Sequence, residues 1–242
     1  MDAAAYESLR DLQQEHWWFV GRRKFIRRLI ERHVSRSQGL NILEAGCGYG
    51  GNLAMLSEFG NVRAFEFDAS ARDFARQMSG IDIQPGELPR NLQLDQQQFD
   101  LIAMLDVLEH IDDDRGSLET LKEHLTANGL ILITVPAFQW LWSGHDEIHH
   151  HKRRYSRKEL SASLRAAGLE PVDTGYFNSI LFPIAVAHRL ASRVTSKPAG
   201  TDKLPPPAIN SLFSGIFGAE SSLIGRLSLP FGLSLYAVAK RA

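Results

Sequence analysis

Glu44, Gly46, Gly48 and Gly50 crowd into the stretch NILEAGCGYGGN, which runs from Asn41 to Asn52. An apolar run that ends in closely spaced glycines and opens a helix lets backbone N–H groups come near a ligand, because residues without a Cβ leave room. The chemistry this suits is the holding of a nucleotide-type cofactor. Gly46, Gly48 and Gly51 also satisfy the G-x-G-x-x-G spacing of dinucleotide binders, so the glycines do not choose the cofactor. Glu44 weighs on that choice. A carboxylate facing a pyrophosphate would place like charges a few ångströms apart, whereas beside an ammonium and a sulfonium it is attracted, which favours S-adenosylmethionine. Glu66 lies about 20 residues past the first glycine, the spacing at which an acid accepts hydrogen bonds from ribose hydroxyls; Asp68 is the second choice.

ILEAGCGYG, the acid at Glu66 and the segment FDLIAMLDVLEHIDDD together resemble a class I S-adenosylmethionine-dependent methyltransferase. The resemblance covers roughly residues 41 to 175, and FGLSLYAVAKR resembles the last, antiparallel strand of that fold. EHWWFVGRR and HDEIHHHKRRYSRKEL are similar to segments of a bacterial subfamily whose substrates are poorly defined. It implies a Rossmann-like, doubly wound seven-stranded α/β sheet, mostly parallel with a C-terminal antiparallel strand. The cofactor site expected on it starts with Glu44, Gly46, Cys47, Gly48, Gly50 and Asn52, followed by Glu66 and Phe67. Gly86, Glu87 and Leu88 lie, by resemblance, beside the adenine, although the usual acid of that loop is not cleanly aligned and a plain turn is the alternative. Leu105 and Asp106 end the fourth strand, where the sulfonium methyl should project; a helix cap or loop acid is the other reading of Asp106.

Candidate catalytic groups are Asp106, His110, His145 and His149. An ordinary imidazole pKa near 6.5 suits His110 to proton removal at neutral pH, and a histidine bonded to backbone is the structural alternative. His145, Asp146, Glu147 and His149 to His151 bring carboxylates and imidazoles together, but their spacing is not that of a closed zinc site and no cysteine pair accompanies them, so no metal is assigned. His145, Asp146 and His149 are expected on a loop over the acceptor cleft, since they follow the fifth strand at its carboxyl end.

Two basic runs stand out: Arg22, Arg23, Lys24, Arg27 and Arg28, then Lys152, Arg153, Arg154, Arg157 and Lys158 around Tyr155. Such runs are usually solvated faces. If they flank one cleft, they favour a phosphate or carboxylate on the acceptor. A base stacked on Tyr155 beside them is a lesser option; no appended nucleic-acid-binding module is visible, and no nucleic acid is expected. Trp17, Trp18 and Phe19 are expected as a lid or packing for an N-terminal cap, with burial in the core as the alternative.

The elements that must position these residues follow from periodicity and punctuation. Helical composition marks residues 3–14 and 25–34, a helical cap occupying 1–40. Strand-like runs at 62–67, 81–84, 99–105 and 130–135 alternate with helices near 52–59, 70–78 and 117–125, with Ser70 as a candidate N-cap and Asn128 and Gly129 as a turn. Such alternation means a parallel sheet covered on both faces. A helix at 156–167 and a sixth strand at 169–176 complete a core spanning 41–177. Residues 178–228 read as an insertion with an apolar run at 179–187, basic Arg189 and Arg193, a basic stretch ending at Lys203, three prolines at 205–207 and a helix near 209–223; residues 229–242 supply the final strand.

A chain of 242 residues with 44% hydrophobic content fits one domain with extensions. The net charge of -1 gives no long-range attraction to nucleic acid, and the lone Cys47 excludes an intramolecular disulfide. Acids near the N-terminus do not suit a secretory signal, so a cytoplasmic location is expected. The apolar run at 179–187 either packs on the sheet or meets the inner face of a membrane with a lipid-linked acceptor. The function expected is methyl transfer from S-adenosylmethionine to an oxygen of a small or lipid-linked, anionic acceptor. An NAD-dependent oxidoreductase and a non-catalytic cofactor-binding module are the alternatives; the oligomeric state is open.

Overall fold

The computed structural model describes residues 10–34, 39–94, 96–195, 204–224 and 229–242. The apolar run before the glycines forms β1 (Leu40–Ala45), which pairs in parallel with β2 (Gly60–Glu66) on one side and β5 (Phe99–Leu105) on the other. Beyond β2 lies β3 (Ile83–Glu87), whose chain turns back as the two-residue strand β4 (Asn91–Leu92). Beyond β5 lies β6 (Leu125–Pro136); β8 (Ser234–Arg241) then runs antiparallel between β6 and β7 (Leu169–Phe177). The sheet order is β4-β3-β2-β1-β5-β6-β8-β7. Seven of these are the strands expected; the eighth, β4, falls in the proline-bearing segment PGELPRNL, which carries no strand pattern.

Side chains alternate across the sheet, so its continuous apolar runs serve two cores. Leu43, Ile102, Met104 and Ile133 pack against Leu118 and Leu121 of α4 (Asp114–Glu123) and against Leu160 and Leu164 of α6 (Arg157–Ala166). Ile42, Leu101, Ala103 and Leu132 face Phe25, Ile26, Leu29 and Ile30 of α1 (Trp17–His33), Met55 and Leu56 of α2 (Leu53–Ser57) and Phe217 of α8 (Pro207–Glu220). α1 thus begins at Trp17, earlier than the expected residue 25, because the aromatic residues continue its packing face. The expected helix at 3–14 falls largely outside the described residues.

Other boundaries shift for identifiable reasons. Asp68, not Ser70, caps α3 (Ala69–Ser79): its carboxylate accepts the Ala71 N–H at 2.8 Å. Asn128 and Gly129 lie within β6, beside a register shift at Phe99/Leu101, where a Cβ on Gly129 would stand 2.7 Å from the Phe99 carbonyl oxygen.

The segment after β7 forms α7 (Phe182–Thr195) and α8. α8 lies on α1 so closely that a Cβ on Gly21 would be 2.4 Å from the Phe217 ring. Asn210 fastens the pair by accepting the Trp17 N–H at 2.8 Å and donating to the Glu15 carbonyl at 2.8 Å. Buried Glu220 holds the turn into α7, its Oε2 accepting from the Ser179 and Ile180 amides. The run at 179–187 does not pack wholly on the sheet: Leu181 is buried, but Ile180 and Ile184 are about half exposed. Among the described residues no helix is long and apolar enough to cross a membrane. Lys203 and the side chain of Arg193 lie outside the described residues.

Candidate active site

The chain steps from β1 to β2 and β3 in one direction and to β5 and β6 in the other, so the switch in strand order lies at the carboxyl end of β1. Ligands of open α/β sheets bind in the crevice at such a point. The glycine loop occupies it. Gly46, Gly48 and Gly50 all have positive φ, and at Gly48 a Cβ would meet no protein atom, leaving clear space over the loop. Phe65 accepts both the Gly46 and Cys47 amides at 3.0 and 3.1 Å, and Glu66 Oε2 accepts the Gly48 amide at 2.7 Å. Glu66 Oε1 accepts the Asp68 amide at 2.9 Å, so two backbone bonds fix the carboxylate where it lines the crevice. Carboxylate oxygens carry further lone pairs for ligand hydroxyls.

Glu44 lies beneath the loop and does not itself line the crevice; Asn52 does, and its Nδ2 donates to Glu44 Oε1 at 2.8 Å. Glu44 Oε2 is buried with no hydrogen-bond partner, and burial pushes this carboxyl up to about 7. A buried carboxyl with an unused oxygen, beside a loop cleared of side chains, fits a ligand that carries an ammonium group. Cys47 lines the crevice as a thiol, since burial raises its pKa well above the usual range.

Phe67, Gly86, Glu87 and Leu88 line the far wall with Phe65. Phe67 is mostly exposed, Leu88 is buried, and a Cβ on Gly86 would press on the Phe65 ring at 2.9 Å. Glu87 is exposed and Asn91 Nδ2 donates to it at 3.4 Å, a bond that spans the β3–β4 turn.

The roof comes from the N-terminal segment, which sequence patterns did not connect to the cofactor loop. Gln13 Nε2 donates to the Tyr49 carbonyl at 3.1 Å, and Arg23 donates to the carbonyls of Gln13, Gln14 and Gly51. Trp17 meets Phe213 edge to face at 5.5 Å, and the Arg22 guanidinium lies 5.0 Å over the Trp18 ring. Trp17, Trp18 and Phe19 line the cavity from this segment, and Trp17 and Trp18 also pack against the core beneath α1.

Leu105 and Asp106 end β5 as expected. Asp106 is held at φ 56, a conformation that a non-glycine residue adopts at a cost of about 1–3 kcal/mol. Thr134 Oγ1 donates to Asp106 Oδ1 at 3.2 Å, and Arg22 Nη2 stands 2.8 Å from Oδ2, an ion pair that is off the hydrogen-bonding direction. Asp106 is therefore no helix cap. His110 follows on a short 3-10 turn (Leu108–His110) and is kept neutral: burial, then His151 and His149, bring its pKa down to about 3 rather than the ordinary 6.5. His145 is lowered to about 3 by burial and by His149. At neutral pH both are imidazoles that accept a hydrogen bond yet are weak as free bases.

His145, His149 and His151 line the cavity from the loop around α5 (Gly144–Ile148), but Asp146 points away from it. Asp146 is wholly buried, accepting from Arg154 Nε at 2.7 Å, Arg154 Nη2 at 3.0 Å, His151 Nδ1 at 2.8 Å and the Ser143 amide at 2.8 Å. The His151 and Arg154 hydrogen bonds outweigh burial and hold this carboxyl below the usual range. It orients the loop and lies behind the cleft rather than over it.

The basic runs do not flank the cleft as a field. Arg27 bonds Glu58, Arg28 pairs with Glu31 at 2.8 Å, Lys152 with Asp112 at 3.2 Å and Arg153 with Asp114 at 3.4 Å. Of those ten residues only Arg22, Arg23 and Arg154 line the cavity, joined by Arg189 of α7. Tyr155 is buried and donates to Asp114 at 2.9 Å, so it offers no ring face to a base. One cavity of about 1000 Å³ runs from the glycine loop to the histidine loop and is also lined by Ile184, Pro205 and Phe213 of the insertion.

Residues 18–174 match the model of a family described as a methyltransferase domain. The chain belongs to that family. S-adenosylmethionine is accordingly the cofactor of this domain, which decides between the two ligands that share its glycine spacing. A probable S-adenosylmethionine-dependent methyltransferase of Mycolicibacterium smegmatis is 28% identical over 167 residues, 67% of this chain and 63% of that one. A ubiquinone biosynthesis O-methyltransferase of a Ruegeria species is 27% identical over 175 residues, 62% of this chain and 69% of that one. The match thus spans less than two thirds of the mycobacterial relative's length. Among solved structures, a TehB-like S-adenosylmethionine-dependent methyltransferase from Corynebacterium glutamicum superposes with a TM-score of 0.55 at 20% identity, over 90% of this chain and 88% of that one, which shows the shared fold.

Proposed function

We propose that this methyltransferase transfers the methyl group to an oxygen of a small or lipid-linked, anionic acceptor. The observation that carries the reading is the single cavity joining the glycine loop to the histidine loop. At about 1000 Å³ it lies at the upper end of the range for ligand sites, with room for an acceptor beside the cofactor. When bound, the cofactor supplies a methyl on a positively charged sulfur, which departs as a neutral thioether. The chain's own residues then have to align the acceptor and exclude water.

In this reading Glu44 and Asn52 meet the cofactor's ammonium end, Glu66 takes the ribose hydroxyls, and Phe67 and Leu88 cover the base with Glu87 at its rim. Asp106, with Arg22 and Thr134 fixing its carboxylate, marks the place of transfer. The imidazoles of His110, His145 and His149 accept a hydrogen bond from an acceptor hydroxyl as it loses its proton. Arg189 brings positive charge to the cavity, which supports an anionic acceptor, while the charge of Arg154 is already matched by Asp146. The Ruegeria relative, named for O-methylation in ubiquinone biosynthesis, supports an oxygen nucleophile.

The lipid-linked part rests on residues 178–228 as an acceptor-facing unit. Ile180, Ile184, Leu204, Ile209, Leu212 and Phe231 are all exposed apolar residues of this region or its edge, and Ile184 also lines the cavity. A methyl-release assay with phenolic and carboxylate acceptors, with and without a lipid tail, tests the substrate. Co-sedimentation with anionic vesicles at low salt tests the surface. Calorimetry with S-adenosylmethionine tests the cofactor site itself, and no heat of binding would refute the reading.

A further inference from the structure

Glu109 has no role in holding the cofactor, yet it is among the most deeply buried carboxyls of the protein, 1% exposed, with an Oε2 that makes no hydrogen bond. It lies at the centre of a grouping the sequence does not reveal. One potential ligand atom from each of Glu109, His110 and His151 lies within 4.8 Å of the other two. The first two follow β5, and His151 arrives from the loop around α5, a link fixed by the Lys152 amide donating to the Glu109 carbonyl at 2.7 Å. The His110 and His151 rings meet edge to face at 4.7 Å between centroids.

We propose that Glu109, His110 and His151 bind a divalent transition-metal ion of the zinc or manganese class. Two imidazoles and one carboxylate form a donor set suited to such ions, with positions left open on the cavity side. The surroundings are those of ligating histidines, whose other nitrogen is held by a neighbour. His151 Nδ1 bonds Asp146 at 2.8 Å, leaving Nε2 with its lone pair, and His110 bonds the backbone of His150. Asp146 is itself locked by Arg154, so the orientation of His151 is set before any ion arrives. Ligands of a tetrahedral ion stand roughly 3.3 Å apart at metal–ligand distances of about 2.0 Å, so the three side chains close by at most about 1.5 Å. All three residues line the cavity. Resting on the methyltransferase reading, the ion takes the acceptor's oxygen as a further ligand, positioning it and lowering its pKa, so that with the ion bound His110 serves as a ligand and the proton goes to His145 or His149.

The full chain, stripped with a chelator, is titrated with Zn²⁺ alone against a chromophoric chelator, and the retained metal is counted by mass spectrometry after desalting. One ion per chain is expected, with affinity reduced at least tenfold in Glu109→Gln and in His110→Asn; circular dichroism confirms that each is folded, and His151→Asn replaces either that is not. No retained ion, retention unchanged in these variants, or loss confined to His145→Ala overturns the proposal. S-adenosylmethionine binding to the stripped protein is measured separately. If that binding is absent while the ion is retained, the methyltransferase reading fails and the metal site stands.

Discussion

Glu44→Gln should make the cofactor-free protein more stable at alkaline pH while weakening its hold on the cofactor. The native Glu44 carboxyl stands at about 7 against an ordinary 4.5, chiefly because it is buried. Between those two values the native state binds more protons than the unfolded chain, so the stability present at low pH is lost as the pH rises through the window. Linkage for a single group with these two pKa values gives a cost of about 1.4 kcal/mol at pH 5.5 and about 3.4 kcal/mol at pH 8. Glutamine keeps an oxygen for Asn52 and cannot ionise, so the variant's advantage should grow by about 2 kcal/mol across that interval. For a chain of this size that is roughly 4–8 °C in Tm. Calorimetric melts of both proteins at pH 5.5 and pH 8, without cofactor, supply the comparison. Curves that stay parallel would refute the reasoning, because they would mean that Glu44 ionises as it does in water. The same pKa implies that cofactor binding at pH 6.5 expels up to about three quarters of a proton from wild type and none from the variant. Titrations in buffers of different ionisation enthalpy read that number directly.

Gly21→Ala should cost about 1–3 kcal/mol, because the new methyl falls 2.4 Å from a Phe217 ring with no free space around it; an unchanged Tm would contradict the close seating of α8 on α1. Asp146→Asn leaves the buried Arg154 guanidinium without its charge partner, and urea unfolding should register a loss of about 3–5 kcal/mol. A loss under about 1 kcal/mol would mean that water reaches the pair. Glu66→Gln leaves one oxygen for the two amides of Gly48 and Asp68, so the calorimetric Kd for S-adenosylmethionine should rise tenfold or more, with a fall in Tm for the amide that loses its acceptor. An unaltered Kd would remove Glu66 from the cofactor site.

The parts of the molecule legible in the sequence are those where one short segment carries its own pattern. β1, the glycine turn and Glu66 belong together by spacing alone, and alternating strands and helices indicate a parallel sheet covered on both faces, though not its strand order. What escaped was set by contacts between distant segments. Nothing near Gln13 or Arg23 indicates that they clamp the Tyr49 and Gly51 carbonyls, because those bonds are made to backbone and leave no mark on residue type. The basic runs looked like a field for an anion, but acids elsewhere in the chain, Glu58, Asp112, Asp114 and Asp146, neutralise much of it. The histidine-rich run showed imidazoles in one place, whereas Glu109 and His110 reach His151 only once the fifth strand and the following loop are folded together. Asp146 is expected at the cleft because its loop follows the fifth strand at its carboxyl end; its orientation is decided by Arg154 and His151.

The position of β8 also bears on how the protein is made. β7 touches the sheet only through β8, and β8 reaches β6 across a sequence gap of roughly a hundred residues, as in the Leu130 and Lys240 pairing. Until β8 has been synthesised, β7 therefore has no edge to join, and Leu235, Ala237 and Ala239 are missing from the apolar layer over α6. Closure of the sheet must wait for β8 to thread between its neighbours, a step that topology makes slow. Until then the outer flank of β6 is an open template for pairing with another nascent chain, which makes β8 the protein's guard against aggregation during synthesis.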